Sequence, residues 1–147
     1  MERSTTKKVI GLSVRLAVLL GAVSVCSGCD IQLADKSLTS AKVEEAINNE
    51  IKKCGGAAAV LGPVELSGNQ LTYLPDGIFD ELTQLNSNIE LQYNALTSLP
   101  SGIFDKLTQL TEHVELTNNK LTALPGGIFD KLTRLTGNIG LDSAVKC

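Results

Sequence analysis

The sequence predicts an α/β repeat solenoid, with short parallel strands forming a concave sheet and a helical cap at the N-terminal end. Three observations predict it. The stretch from Leu71 to Leu85, LTYLPDGIFDELTQL, returns as LTSLPSGIFDKLTQL from Leu96 and as LTALPGGIFDKLTRL from Leu121, an offset of 25 residues each time. Self-similarity at such a period marks a solenoid, in which each unit buries its apolar face only against its neighbours. Ahead of each block stands an apolar pair alternating with polar residues, Val64 and Leu66, Ile89 and Leu91, Val114 and Leu116, Ile139 and Leu141, and that alternation is strand periodicity. Before the repeats, Val43, Ala46, Ile47 and Ile51 recur at helical spacing, the mark of an amphipathic helix.

Residues 1–28 read as an address. Arg3, Lys7, Lys8 and Arg15 make a basic start, Leu16 to Val25 is an apolar run, and Cys26, Ser27 and Gly28 are small residues suited to cleavage. This is the pattern of a secretory signal peptide, too short to span a bilayer unless Arg15 enters it. The same end, Val25-Cys26-Ser27-Gly28-Cys29, also fits a bacterial lipobox, in which Cys29 would carry a lipid and tether the chain to a membrane surface. The two readings use Cys29 in incompatible ways, and both stay open at this point.

Residues 29–62 form the expected N-terminal cap. Ile31-Gln32-Leu33 matches Val64-Glu65-Leu66, and Lys36 to Thr39 stands where Asn69 to Thr72 stands later. The segment is a degenerate first coil followed by a helix over Ala41 to Lys53, with Thr39 or Ser40 placed to cap its start, Lys52 and Lys53 suiting its C-terminal dipole and Gly55 stopping it. Shielding the first coil is the natural role of such a segment. Cys29 precedes the cap strand and Cys54 ends the helix that runs back along it, so the two are placed to form a disulfide in an oxidising compartment if Cys29 is not lipidated.

Residues 63–141 are the repeats. One unit reads (I/V)-x-L-x-x-N-x-L-x-x-L-P-x-G-I-F-D-x-L-x-x-L. This resembles the leucine-rich repeat, and the wording SLPSGIFDKLTQL is most similar to the variable lymphocyte receptors and the Toll-like receptor type of repeat. The resemblance covers roughly residues 60–141. It implies a module of immune-recognition type whose concave face binds protein or glycan. The receptor repeats run to about 24 residues, with a Leu three positions after the last Leu of the block. Here that position holds Asn88, His113 and Asn138, with the apolar residue one later, which places an extra residue in the loop before each strand.

The letters of the repeat have physical reasons. Asn69, Asn94 and Asn119 follow the strand and are expected to turn inward, where an amide can satisfy backbone groups that a bending chain leaves unpaired. Pro75, Pro100 and Pro125 forbid helix continuation, and Gly77, Gly102 and Gly127 permit a tight path. Phe79, Phe104 and Phe129, the only phenylalanines, share one repeat position and are expected to form a buried stack. Asp80, Asp105 and Asp130 follow them as turn residues.

Composition excludes several classes. Sixteen acids against 13 Lys and Arg give a net charge of −3, there is no Trp, and aromatic residues are 3% of the chain. The scattered bases form no nucleic-acid footprint, and no N-x-S/T sequon is present. His113 is the only histidine and stands in no His-paired dyad or metal-ligand spacing, so neither an enzyme nor a metal or cofactor site is expected. Cys26-x-x-Cys29 has metal-like spacing but straddles the cleavage site. Cys147, four strands beyond the cap at about 4.8 Å per strand, is out of reach of Cys54.

What remains is a surface. Polar residues alternating with the strand's apolar ones face the concave side: Glu65 and Ser67 beside Pro63, then Asn88, Glu90 and Gln92, then His113, Glu115 and Thr117, then Asn138 and Asp142 beside Gly140, with Tyr93 and Asn118 at the rim. These are the candidate ligand-binding residues, with side chains expected to face solvent. Glu65, Glu90 and Glu115 fall on adjacent strands about 5 Å apart and repel one another by roughly 1 kcal/mol even in water, an acidic ladder with no internal basic neighbour, suited to a basic partner. The expected function is a secreted or surface-tethered recognition module; the alternative is a structural or adhesion scaffold, a bacterial-type lipoprotein if Cys29 carries a lipid, without a specific concave-face ligand. Residues 142–147 form a truncated tail, and the uncovered last strand predicts fraying or self-association through the C-terminal end.

Overall fold

The computed structural model of the chain describes residues 29–33 and 36–146. The expected leader and Cys147 lie outside the described residues. Five strands follow in order, β1 (Cys29–Gln32), β2 (Val60–Glu65), β3 (Ile89–Glu90), β4 (Val114–Glu115) and β5 (Ile139–Gly140), all parallel and each paired with the next in sequence. Successive 25-residue coils therefore stack in one register: Val64 opposes Ile89, Ile89 opposes Val114, and Val114 opposes Ile139. Strands β3 to β5 are shorter than the sequence suggests, while β1 and β2 begin earlier than their alternating pairs. Alternation continues into Leu66, Leu91, Leu116 and Leu141, but the chain bends there; the amides of Leu66, Leu91 and Leu116 still bond onward, Leu91 N to Glu115 O at 2.9 Å.

The first coil matches as its sequence implies. Ile31 lies against Val64 and Gln32 against Glu65, with a register shift between Cys29 and Ile31. Pro63, which has no N–H to give a ladder, sits in the β2 segment that accommodates this shift. The helix α1 runs Ser40–Lys53 and buries Val43, Ile47 and Ile51 against the coil. Its start differs from expectation. Neither Thr39 nor Ser40 makes a side-chain cap bond, because the buried Ser40 hydroxyl is committed to the next coil. It donates to Tyr73 O at 2.6 Å and accepts from the amides of Thr72 and Tyr73. At the other end Gly55, at φ +89, donates to Lys52 O while Gly56 donates to Ile51 O, the paired bonds of a Schellman stop. Cys29 and Cys54 are joined by a disulfide, which occupies the sulfur that a lipid on Cys29 would need.

Inside the repeats one apolar core runs from Ile31 to Leu132. Phe79 stacks on Phe104 at 6.2 Å and Phe104 on Phe129 at 5.8 Å. Burial of each of the first two rings contributes about 1.5–3 kcal/mol. Phe129 is a correction to the expected buried stack: it is only partly buried, since among the described residues no further ring stacks on it. The asparagine ladder forms in full. Asn94 Nδ2 donates to Leu91 O in its own coil and to Leu66 O in the coil before, while its Oδ1 accepts from Leu71 N. Asn69 and Asn119 repeat the arrangement.

Gly77, Gly102 and Gly127 have φ near +70, and the carboxylates of Asp80, Asp105 and Asp130 lie directly over them, so these acids close turns. The extra residue of each repeat lies in a turn with its own ladder, Thr111 N to Asn86 O and Thr136 N to Thr111 O. At the C-terminal end the tail is less loose than its sequence implies. Lys146 pairs with Ala123, donating to Thr122 O and accepting from Leu124 N. Val145 packs against the core.

Candidate functional site

The sheet register places Glu65, Glu90, Glu115 and Gly140 side by side on β2 to β5, with Gln32 at the same level on β1. Around Glu90 the polar side chains converge. Asn88 Nδ2 donates to Glu90 Oε1 at 2.6 Å and lies 3.2 Å from His113 Nε2, and Gln92 Nε2 donates to Glu90 Oε2 at 3.1 Å. His113 Nε2 is 3.8 Å from Glu90 Oε1. The acidic row therefore has an internal basic neighbour, contrary to the sequence reading, because the residue one coil on and two before Glu115 leans back toward Glu90.

Asn88 is also unlike the expected solvent-facing side chain. It is 7% exposed and acts as the bridge between Glu90 and His113, with Ser87 Oγ 3.0 Å from its Oδ1. Gln92 Oε1 is buried with no hydrogen-bond partner among the described residues. Glu65 is half-buried, and its carboxyl is held above the usual carboxylate range by burial first, then by the charge and hydrogen bond of Glu90 and the charge of Asp30. Asn88 and Gln92 direct their amide donors to Glu90.

Further along the row, Glu115 Oε1 accepts from Thr117 Oγ1 at 2.7 Å, and the same carboxylate lies over Gly140. Asp142 turns its carboxylate onto backbone, accepting from the amides of Asn118 and Asn119 at 3.0 and 3.3 Å. Asn138 is exposed and Ser67 half-buried. Tyr93 is 63% exposed and has φ +59, as Asn118 has +56 and Gly68 +67 at the same repeat position. A left-handed backbone suits Gly and Asn; for an aromatic residue it is an outlier.

Thus the fold brings Glu65, Glu90, Asn88, Gln92 and His113 into one hydrogen-bonded group, keeps Glu115 and Thr117 as a second, and uses Asp142 as a backbone acceptor. Sequence reasoning missed Asp30, which joins the acidic row from the first coil; the alternation of Asp30 and Gln32 about Ile31 carried that signal. Among the described residues no group of three or more His, Cys, Asp or Glu is placed to hold a metal, and no helix is long and apolar enough to cross a membrane. A hollow of about 210 Å³ lies off the row, between Leu61, Gln84, Asn86, Gln109, Thr111 and Arg134.

No family model matches this sequence, and comparison with curated proteins finds no match. Among solved structures, the chain is similar to the crystal structure of the leucine-rich repeat domain of APL1B, at 22% identity and a TM-score of 0.60, over 97% of this chain and 36% of that one. The fold is accordingly that of a leucine-rich-repeat solenoid, and the chain spans about a third of the length of that protein. A more distant match is a structure of the Toll–Spatzle complex of Drosophila, at 20% identity and a TM-score of 0.35 over 60% of this chain and 18% of that one.

Proposed function

We propose that this chain is a secreted or surface-tethered recognition module, not an enzyme, that binds a basic protein partner through its concave face, with the N-terminal coil and α1 serving as cap. The observation that carries the reading is the in-register row of Glu65, Glu90 and Glu115, extended by Asp30, on the polar face of the parallel sheet. Like charges on adjacent strands lower stability, so such a row is a cost that binding a cation would recover. Among the described residues, His113 is the base that lies beside it. A glycan would instead need stacking aromatics, and the face offers one, Tyr93. The disulfide between Cys29 and Cys54 is consistent with a chain that folds in an oxidising compartment.

The test uses the immobilised full chain against a displayed library of basic peptides, with the selected peptide then measured against the Glu90→Gln/Glu115→Gln double variant. Association should slow and its salt dependence flatten, since complementary charge acts mainly on the encounter rate. Unchanged binding by that variant, with loss on altering the convex Lys106 and Lys131, would place recognition on the other face.

A further inference from the structure

We propose that His113 is a proton-operated latch on Glu90, which closes in mild acid and takes the centre of the acidic row away from a basic partner. The inference rests on the concave-face reading and adds its regulation. It is carried by which atoms of the group can donate and which can only accept. An ionised carboxylate only accepts, so the side-chain nitrogen of Asn88 must be the atom that meets Glu90 Oε1, at 2.6 Å, and the oxygen of the same amide takes Ser87 Oγ. The orientation of Asn88 is thereby fixed. Its Nδ2, 3.2 Å from His113 Nε2, has a hydrogen to give and cannot accept one. This contact is a hydrogen bond only while the ring nitrogen carries no proton.

A proton on Nε2 reverses the contact. Two donors then face each other at 3.2 Å, and both compete for Glu90 Oε1, which lies 3.8 Å from the ring nitrogen. The imidazolium has the stronger claim, because it adds the attraction of unlike charges to the hydrogen bond. Asn88 is 7% exposed and held from its other side by Ser87. The group therefore has two discrete arrangements, one with the amide bonded to the ring and one with the ring bonded to the carboxylate. The proton selects between them.

The charges around the ring set what the latch does. Glu90 faces it from β3, Glu115 follows it on β4, and Glu112 precedes it, tied to Ser87 Oγ at 3.0 Å. Beyond Glu90 come Glu65 on β2 and Asp30 on β1. Among the described residues no Lys or Arg pairs with any of these acids, so a protonated ring has only carboxylates to meet. With the latch open, the row offers Glu65, Glu90 and Glu115 to a cation. Once it closes, Glu90 is neutralised in place and a positive ring stands beside the row, repelling the base that the row would otherwise hold. Glu65 adds to the effect, since burial, then Glu90 and Asp30, make it lose its charge at a higher pH than an ordinary carboxylate.

The experiment has two arms. In the first, the isotope-labelled full chain, with no partner present, is titrated by NMR from about pH 8 to about pH 5, the range in which histidine changes charge. Nuclear Overhauser contacts of the His113 ring should pass from the Asn88 side chain to Glu90, with the midpoint of the ring's own titration. In the second, a selected basic peptide without histidine should bind the parent about tenfold more weakly at the acid end of that range than at the other. Glu65→Gln should keep most of this ratio, and His113→Gln should bring it close to one. A ring that keeps its contacts with Asn88 throughout, equal ratios in the parent and His113→Gln, or a ratio abolished by Glu65→Gln would each overturn the proposal. A library that yields no binder counts against the recognition reading alone, and the titration of the free chain then decides the latch.

Discussion

Asn94 Nδ2 donates to the carbonyl of Leu66, one coil back, at 2.9 Å, while Asn94 Oδ1 takes the amide of Leu71 in that same coil at 3.1 Å. One side chain thus ties adjacent coils together as both donor and acceptor, where the strand has ended and the backbone has begun to bend. Asn94→Ala leaves these backbone groups without partners in a part-buried site, at about 1–3 kcal/mol for each group left unsatisfied. We expect a loss of about 3 kcal/mol by denaturant unfolding. Asn94→Asp, of the same shape but unable to donate, should do little better; an aspartate variant as stable as the parent would show that the donated bonds contribute nothing.

The phenylalanine stack should weaken toward its open end. Phe104 is enclosed by Phe79 and Phe129, so Phe104→Ala opens a cavity that neither neighbour can fill, at about 3–5 kcal/mol. Phe129 has no ring beyond it and is partly exposed. Phe129→Ala should cost roughly half as much, and thermal melts of the two variants side by side measure the difference. Equal losses would mean that the last coil is covered in solution.

Glu65 links the acidic row to pH. Its folded-state pKa lies above the ordinary 4.5, through burial first and then through Glu90 and Asp30. A raised carboxyl pKa means that the fold binds the proton more tightly than the unfolded chain does. Its contribution is therefore complete in acid, below 4.5, and is lost as pH rises through the higher folded value. Glu65→Gln removes that loss. The variant should exceed the parent by about 0.5 kcal/mol at neutral pH, the scale of one cross-strand like-charge contact, and the advantage should vanish in acid. A variant less stable than the parent at neutral pH would show that the ionised carboxylate is favoured in the fold.

The period of 25 residues made the coil legible, because every structural letter in it answers a local need: Asn for unpaired backbone, Pro and Gly for the bend, Phe for the convex core. Ser40 escaped for a different reason. As the first helical residue it reads as a capping group, yet its hydroxyl bonds to Thr72 and Tyr73, a coil away and invisible to local pattern. Asn88 misled in the same way. Its position alternates outward, but the bulk of His113 in the next coil and the carboxylate of Glu90 close over it. The half-burial of Phe129 is legible only by counting coils, since each repeat is identical at that position and only the last lacks a cover.

Tyr93 offers the sharpest test of whether the rim is used. It holds φ +59 where the preceding coil has Gly68 at +67, and a left-handed backbone costs an L residue roughly 1–2 kcal/mol relative to Gly. Its ring is 63% exposed, so little burial offsets that cost. Tyr93→Gly should therefore keep the fold and gain up to about 1 kcal/mol in stability, the remainder being lost to the greater freedom of glycine in the unfolded chain. If the proposed recognition holds, the same change removes the one aromatic anchor beside Glu90 and Glu115. Dissociation of the selected basic peptide should then quicken by about tenfold, with association little altered. A glycine variant that gains stability and keeps the parent's dissociation rate would show the ring to be a bystander on the surface, and the recognition site would have to be sought elsewhere on the sheet.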